Sequence, residues 1–268
     1  MQRRICFFDW DGTLSADGET VSPAVADALR RLRAAGHLAF LCSGRAPSIT
    51  APGALTLGFD GLVAGAGSYV TLGERVLYRR WIERPALLRT VRHFLDTRQF
   101  LLLEGETVAL AVNGGLIEGG DRFAQVTDPA QLDQGGEYAD VVVTKYGARG
   151  FDEQTRRLLE EDYHVIVNYN NINEMLCKGC CKADGVRRVL EAVGARQADS
   201  VGFGDSYNDL DMLAYVGTAV AMGNAPETVR AAADLVTAPV TADGVAVGLE
   251  RLGLLAPAEN CACGRVCR

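Results

Sequence analysis

The sequence predicts an α/β protein: a doubly wound, mostly parallel sheet with an inserted α+β segment. Three observations carry that expectation. Short apolar runs at residues 5–8, 38–42 and, more weakly, 62–64 show no polar alternation, which suits parallel strands buried on both faces. Helical stretches with apolar residues at three- and four-residue spacing separate these runs, as βα units require. The rhythm stops near residue 82 and resumes near 180, with hairpin-like and glycine-rich sequence between. The expected organisation is therefore a discontinuous core, residues 1–82 and 180–268, and an insert of residues 83–179.

Each element follows from local chemistry. Residues 4–9 form a short strand ending in an acid. Ser22-Pro23 opens a helix, since Ser caps an N-terminus and Pro suits the first turn. Val25, Ala28, Leu29 and Leu32 recur on one face, and Gly36 marks the stop. Residues 38–42 and 62–64 are the next strands, and residues 69–72 and 76–79 read as a hairpin around Gly73. Within the insert, a helix is expected at 85–96, strands at 100–103 and 107–112, a strand at 141–145, a helix at 152–161, and strands at 164–167 and 174–176. Lys182 to Gly194 then reads as a helix and its stop, with Val186, Val189, Leu190 and Val193 on one face. A strand at 200–203, a helix at 209–215, a strand at 218–222, a helix led by Pro226 and a short strand at 235–236 complete the chain.

Composition narrows the function. The chain has 268 residues, 48% hydrophobic and 23% charged, enough for a sizeable core. The formal net charge is −7, a poor footprint for nucleic acid, which rewards basic surfaces. No apolar run approaches the ~18 residues of a membrane span, and the apolar stretch after Arg3-Arg4 is too short for a signal peptide. No nucleic-acid partner, no membrane and a cytoplasmic location are expected. Of the eight cysteines, Cys6 and Cys42 read as buried hydrophobes. Cys177, Cys180 and Cys181 form one cluster and Cys261, Cys263 and Cys267 another. Neither spacing matches a standard zinc module, so reduced thiols are expected.

The densest chemistry lies at the strand ends. Phe7-Phe8-Asp9-Trp10-Asp11-Gly12-Thr13 ends a buried strand in two carboxylates, then turns. Ligands of α/β sheets sit beyond the carboxyl ends of strands, and two acids there are costly without a shared cation or proton. The second strand runs into Ser43-Gly44-Arg45, Lys182 starts a helix, and residues 200–203 run into Gly204-Asp205 and then Asn208-Asp209. Hard carboxylate oxygens suit Mg²⁺, while a hydroxyl, an ammonium and backbone amides suit phosphate oxygens. A nucleoside-triphosphate loop of the Gly-x-x-x-x-Gly-Lys type is absent, and Gly65-Ala66-Gly67 lacks the third glycine of a dinucleotide fingerprint. His37, His93 and His164 lie away from these motifs.

In these residues the sequence resembles the haloacid-dehalogenase-like phosphatase superfamily. Four motifs stand in order: Asp9-Trp10-Asp11-Gly12-Thr13, Ser43, Lys182, and Gly204-Asp205 with Asn208-Asp209. The insert looks like the type IIB cap of the Cof-like subgroup, and so do the tail stretches Ala221-Met222-Gly223-Asn224-Ala225 and Asp243-Gly244-Val245. The resemblance implies a Rossmannoid core, a Mg²⁺ cofactor and a small phosphorylated metabolite, a sugar phosphate foremost. Asp9 would be the nucleophile and Asp11 the acid and base, with Lys182 completing the catalytic set. Gly12, Ser43, Gly44, Arg45, Lys182 and Asn208 would contact phosphate or substrate. Asp9, Asp11 through its carbonyl, Asp205 and Asp209 would form the metal set. The polar stretch 168–173 reads as a cap turn, and the turn 168–174 is expected to face the core and to influence the ranking among substrates.

Trp10, Ser43 and Cys180-Cys181 depart mildly from the pattern. Two alternatives share the motifs: a phosphomutase of the same superfamily and a non-catalytic protein that binds a phosphorylated ligand.

Overall fold

The computed structural model describes residues 2–167 and 172–257. β1 (Ile5–Phe8) lies inside an eight-stranded sheet. Its side chains divide between two cores: Cys6 and Phe8 face one layer, Ile5 and Phe7 the other. A strand buried on both faces has no polar side to show, hence the unbroken apolar run. α1 (Pro23–Ala34) is capped by Ser22, whose hydroxyl accepts from the Val25 amide at 3.2 Å. β2 (Leu38–Cys42), the short α2 (Pro52–Leu55) and β3 (Gly61–Ala64) follow. The hairpin of β4 (Tyr69–Leu72) and β5 (Arg75–Arg79) then forms the sheet edge.

The chain next builds a second sheet. Its elements are α3 (Arg84–Asp96), β6 (Leu101–Gly105), β7 (Ala109–Val112), β8 (Ala124–Gln125), β9 (Val143–Arg149), α4 (Glu153–Asp162), β10 (Tyr163–Val167) and β11 (Ile172–Cys177). It returns through α5 (Lys182–Val193), β12 (Ser200–Gly204), α6 (Leu210–Tyr215), β13 (Thr218–Ala221), α7 (Glu227–Ala231), β14 (Leu235–Val236) and α8 (Gly244–Arg251).

The first sheet runs β14-β13-β12-β1-β2-β3-β4-β5, parallel from β14 to β3 and antiparallel at the β4–β5 edge. From β1 the chain winds outward through β2 and β3, then returns to β12 on β1's other side. That reversal opens a crevice beyond the carboxyl ends of the central strands, where ligands of doubly wound sheets bind. α1 and α8 cover one face through Val25, Leu29, Leu32, Val245 and Leu249. α5, α6 and α7 cover the other through Val186, Val189, Met212, Leu213 and Val229. Phe7 stacks on Phe40 at 5.4 Å and Phe8 on Phe203 at 5.0 Å, each pair adding about 0.5–1.5 kcal/mol beyond its burial.

The second sheet, β10-β11-β9-β6-β7-β8, is antiparallel except at β7–β8. Leu101, Leu103, Tyr146, Ala148 and Met175 point into a separate core with Val91 and Phe94 of α3 and Leu159 of α4. The alternate residues Leu102, Glu104, Lys145, Gly147, Arg149 and Glu174 line a cavity on the opposite face. One face is apolar and the other carries chemistry, as period-two alternation dictates.

Several elements differ from the sequence reading. α8, α2 and β8 were not expected from local pattern. The strand expected at 141–145 starts instead at Val143 and extends to Arg149, because the Val141 amide donates back to Tyr138 in a turn. The helix expected from residue 209 begins as a 3₁₀ turn at Tyr207–Asp209 before α6. Cys6, Cys42, Cys177, Cys180 and Cys181 are all free thiols. Cys261, Cys263 and Cys267, and positions 168–171 of the polar turn, lie outside the described residues.

Candidate active site

β1, β2 and β12 end side by side, because Ile5–Phe8 pairs in register with both Leu38–Leu41 and Ser200–Phe203. Their first residues beyond the strands are Asp9, Ser43 and Asp205, and all three are buried. Asp9's amide still donates to Phe203 at 3.0 Å, which locks its position. The chain then turns tightly: the amides of Thr13, Leu14 and Ser15 all donate to the Trp10 carbonyl. Gly12 adopts φ +82°, and a Cβ there would lie 2.3 Å from an Asp205 carboxylate oxygen. Only glycine permits this approach.

Lys182, the first residue of α5, sits fully buried between two carboxylates. Its Nζ donates to Asp9 Oδ1 at 2.6 Å and to Asp209 Oδ1 at 2.5 Å. The other Asp209 oxygen accepts from the amides of Asp205 and Ser206 at 3.0 and 2.9 Å. Asp205 accepts from Thr13 Oγ1 at 3.1 Å and from Asn224 Nδ2 at 3.3 Å, and Asn224 also donates to the Gly12 carbonyl at 2.9 Å. Burial pushes the Asp9 carboxyl well above the usual carboxylate range, Asp209 adds to the push and Lys182 opposes it. Asp205 is raised to about 7, by burial first and by Asp209 second. Burial disfavours the Lys182 ammonium, yet Asp209 and Asp9 outweigh it and hold the group well above its ordinary value.

Oxygen atoms of Asp9, Asp205 and Asp209 lie within 4.8 Å of one another. Three buried carboxyl groups share one ammonium, so ionising all of them leaves the cluster short of positive charge, and hard oxygen donors so placed fit a divalent cation such as Mg²⁺. The Asp11 carboxylate is not in that cluster. It points to the cavity rim, gripped by Arg45, whose Nε and Nη2 donate at 2.9 and 2.7 Å. Such a two-pronged pair fixes both partners. Ser43 Oγ accepts from the Arg45 amide at 3.1 Å. Thus Asp9, Lys182, Asp205 and Asp209 meet in one cluster, while Asp11 and Arg45 form a second group beside it. Gly12, Gly44, Arg45 and Asn208 line the same cavity of about 540 Å³.

Sequence reasoning missed the opposite wall. Lys145, buried on β9, donates to the Gly44 carbonyl at 2.8 Å and lies 3.5 Å from Glu104 and 3.4 Å from Glu174. Glu104 accepts from the Ala46 amide at 3.2 Å, and Asn208 donates to Glu174 at 3.3 Å. The signal was present as alternation: Lys145, Gly147 and Arg149 share one face of β9 while Tyr146 and Ala148 share the other. Asn224, which ties Gly12 to Asp205, also had no role assigned from sequence. His37, His93 and His164 do not line the cavity.

Comparison with known proteins adds the family. The model of the haloacid dehalogenase-like hydrolases matches residues 6–249. YkrA of Bacillus subtilis, named provisionally as a phosphatase, is 28% identical over 95% of this chain and 100% of its own length. The pyridoxal phosphate phosphatase YbhA of Escherichia coli is 41% identical over 25% of each chain. Among solved structures, a hypothetical protein from Geobacillus kaustophilus superposes with TM-score 0.80 at 29% identity, covering 95% of this chain and 100% of that one. A sugar phosphatase of subclass IIB superposes with TM-score 0.79 at 24% identity, covering 94% and 100%.

Proposed function

The chain belongs to the haloacid dehalogenase-like hydrolases and is a phosphatase of that family, and from that premise we propose that it hydrolyses the phosphate monoester of a small metabolite, a sugar phosphate foremost, with Asp9 as nucleophile. The observation that carries this reading is the buried Asp9 carboxylate held at 2.6 Å by Lys182 beside Asp205 and Asp209. In this reading residues 83–179 are a cap over a core of residues 1–82 and 180–268, in the cytoplasm. Among the described residues no helix is long and apolar enough to cross a membrane.

Asp9, Asp205, Asp209 and the Asp11 carbonyl would hold Mg²⁺, which when bound offsets charge on the phosphoryl oxygens. Ser43, the Gly12 and Gly44 backbone and Lys182 orient the phosphoryl group for in-line attack. An Asp9 oxygen forms a bond to phosphorus as the ester P–O bond breaks, and Asp11 gives its proton to the departing oxygen. Asp11 then takes a proton from water, whose oxygen attacks phosphorus and frees Asp9 and inorganic phosphate. Arg45 grips the Asp11 carboxylate at the rim, so Asp11 acts as the acid once it leaves Arg45, takes up a proton from solvent and turns toward the leaving oxygen. Asn208 seats the loop that carries Asp209.

The test is Asp9→Asn, nearly isosteric but unable to attack phosphorus. With 4-nitrophenyl phosphate and Mg²⁺, loss of at least ~10³-fold in kcat is expected with an unchanged circular dichroism spectrum. A residual rate within about tenfold of the parent would remove Asp9 as nucleophile.

A further inference from the structure

α5 carries Lys182 at its first position, where a helix is least secure, and its own sequence does not close that end. The first amides of a helix have no partner within it and need an oxygen from outside. The residue before Lys182 is Cys181, in extended backbone, and its side chain caps nothing. Its thiol is committed as a donor, to Asp184 Oδ2 at 3.4 Å. Burial first, and a hydrogen bond with Asp211 second, push that thiol up to about 12, so it keeps its proton. Sulfur is in any case a weak acceptor. A serine or aspartate in the same place would close the helix by itself.

The missing oxygen comes from another helix. Asp211, in the first turn of α6, accepts from the Ala183 amide at 3.0 Å through Oδ2. Ala183 is the second residue of α5, one of the positions that an N-cap side chain ordinarily serves. The opposite side of the same turn rests on backbone: the Gly185 amide donates to the Cys181 carbonyl at 3.3 Å, and a Cβ on Gly67 would collide with that carbonyl. What depends on this turn is the Lys182 ammonium, at 2.6 Å from Asp9 and 2.5 Å from Asp209. One short segment thus grips the lysine twice. Asp209 holds its ammonium, and two residues on Asp211 holds the amide that follows it. Fraying of α5 by one residue would release the backbone from which the ammonium reaches the nucleophile.

Resting on the phosphatase reading above, we propose that Asp211 is a positioning residue for Lys182: it caps α5 in place of Cys181 and so sets the ammonium against Asp9.

The test measures kcat and KM for 4-nitrophenyl phosphate with Mg²⁺, well below the melting temperature of every variant, so that each is fully folded. Asp211→Ala is expected to lose about tenfold in kcat, the rate equivalent of a lost N-cap, with a smaller change in KM. Hydrogen exchange in residues 183–185 should quicken in the same variant. Asp211→Asn keeps an acceptor oxygen and should retain most of the parent rate. Cys181→Ser supplies a cap from within the chain. Alone it should leave kcat near the parent value, and combined with Asp211→Ala it should restore most of the lost rate. A cap that only stabilises would lower the melting temperature and leave the kcat of the folded enzyme unchanged. The role is overturned, and the phosphatase reading stands, if folded Asp211→Ala keeps the parent kcat. It is equally overturned if neither Asp211→Asn nor the Cys181→Ser, Asp211→Ala pair recovers the rate. A parent that releases no phosphate from the ester overturns both.

Discussion

Asp205 shows how one buried side chain couples metal, proton and stability. Burial and the neighbouring Asp209 raise its pKa from the ordinary 3.8 to about 7. The folded protein therefore holds this proton more tightly than the unfolded chain does. The resulting stability is fully present below about pH 4 and is lost as pH rises through about 7. Asp9, pushed the same way by burial, adds in the same direction. A divalent cation reverses the cost, because it binds the ionised carboxylates and not the protonated ones. Magnesium at about 100 times its dissociation constant is expected to stabilise the fold by about 2.7 kcal/mol at high pH. The melting-temperature gain from Mg²⁺ over chelator should accordingly be several degrees at about pH 8 and much smaller at about pH 5. An equal gain at both pH values would show that these carboxylates do not bind the ion.

At the scale of elements, α5 carries the sharpest conflict between local preference and packing. Gly185 lies in its interior, where alanine is normally favoured by about 1 kcal/mol. Here a Cβ would lie 2.3 Å from Val63 Cγ1 and 3.4 Å from the Gly67 backbone, and overpacking of that kind costs about 1–3 kcal/mol. Gly185→Ala is expected to lower the melting temperature by a few degrees despite its better helix propensity, and Gly185→Ala with Val63→Ala to recover part of the loss. A higher melting temperature in the single variant would mean that Val63 yields freely. The same contest explains what the sequence revealed. α1 and α5 were legible because Ser22-Pro23 and Gly194 mark their ends in the residues themselves. α8 was not, since Gly244 and Gly248 weaken its local signal. Gly248 exists for tertiary reasons: a Cβ would lie 2.7 Å from the Phe203 ring. The strand ends bearing Asp9, Ser43 and Asp205 could be read because apolar runs stop there. Lys145 could not be read as a partner of Gly44, which lies 101 residues away.

Across the whole molecule, the polar contacts over the cavity join the two sheets: Lys145 to Gly44, Glu104 to Ala46 and Glu174 to Asn208. Each hydrogen bond to a charged group contributes about 1.5–3 kcal/mol, and Lys145 is the single cation between two nearly dry carboxylates. Burial already raises the Glu104 pKa, with Lys145 opposing that rise. Lys145→Met removes the opposition and strands both carboxylates, a loss of about 3–5 kcal/mol if nothing moves. The second sheet has its own apolar core around Leu103, Tyr146 and Met175, so unfolding is not the easiest escape. Separation of the sheets at the cavity hydrates Glu104 and Glu174 and leaves the apolar cores of both sheets intact. Lys145→Met should therefore widen the molecule in small-angle X-ray scattering and speed hydrogen exchange in residues 43–46, with secondary structure retained. The triple variant Glu104→Gln, Lys145→Met, Glu174→Gln carries no buried charge at this position and should return toward the compact form. If Lys145→Met stays as compact as the parent, with residues 43–46 equally protected, then these three contacts do not hold the sheets together, and closure must rest on the apolar surfaces alone.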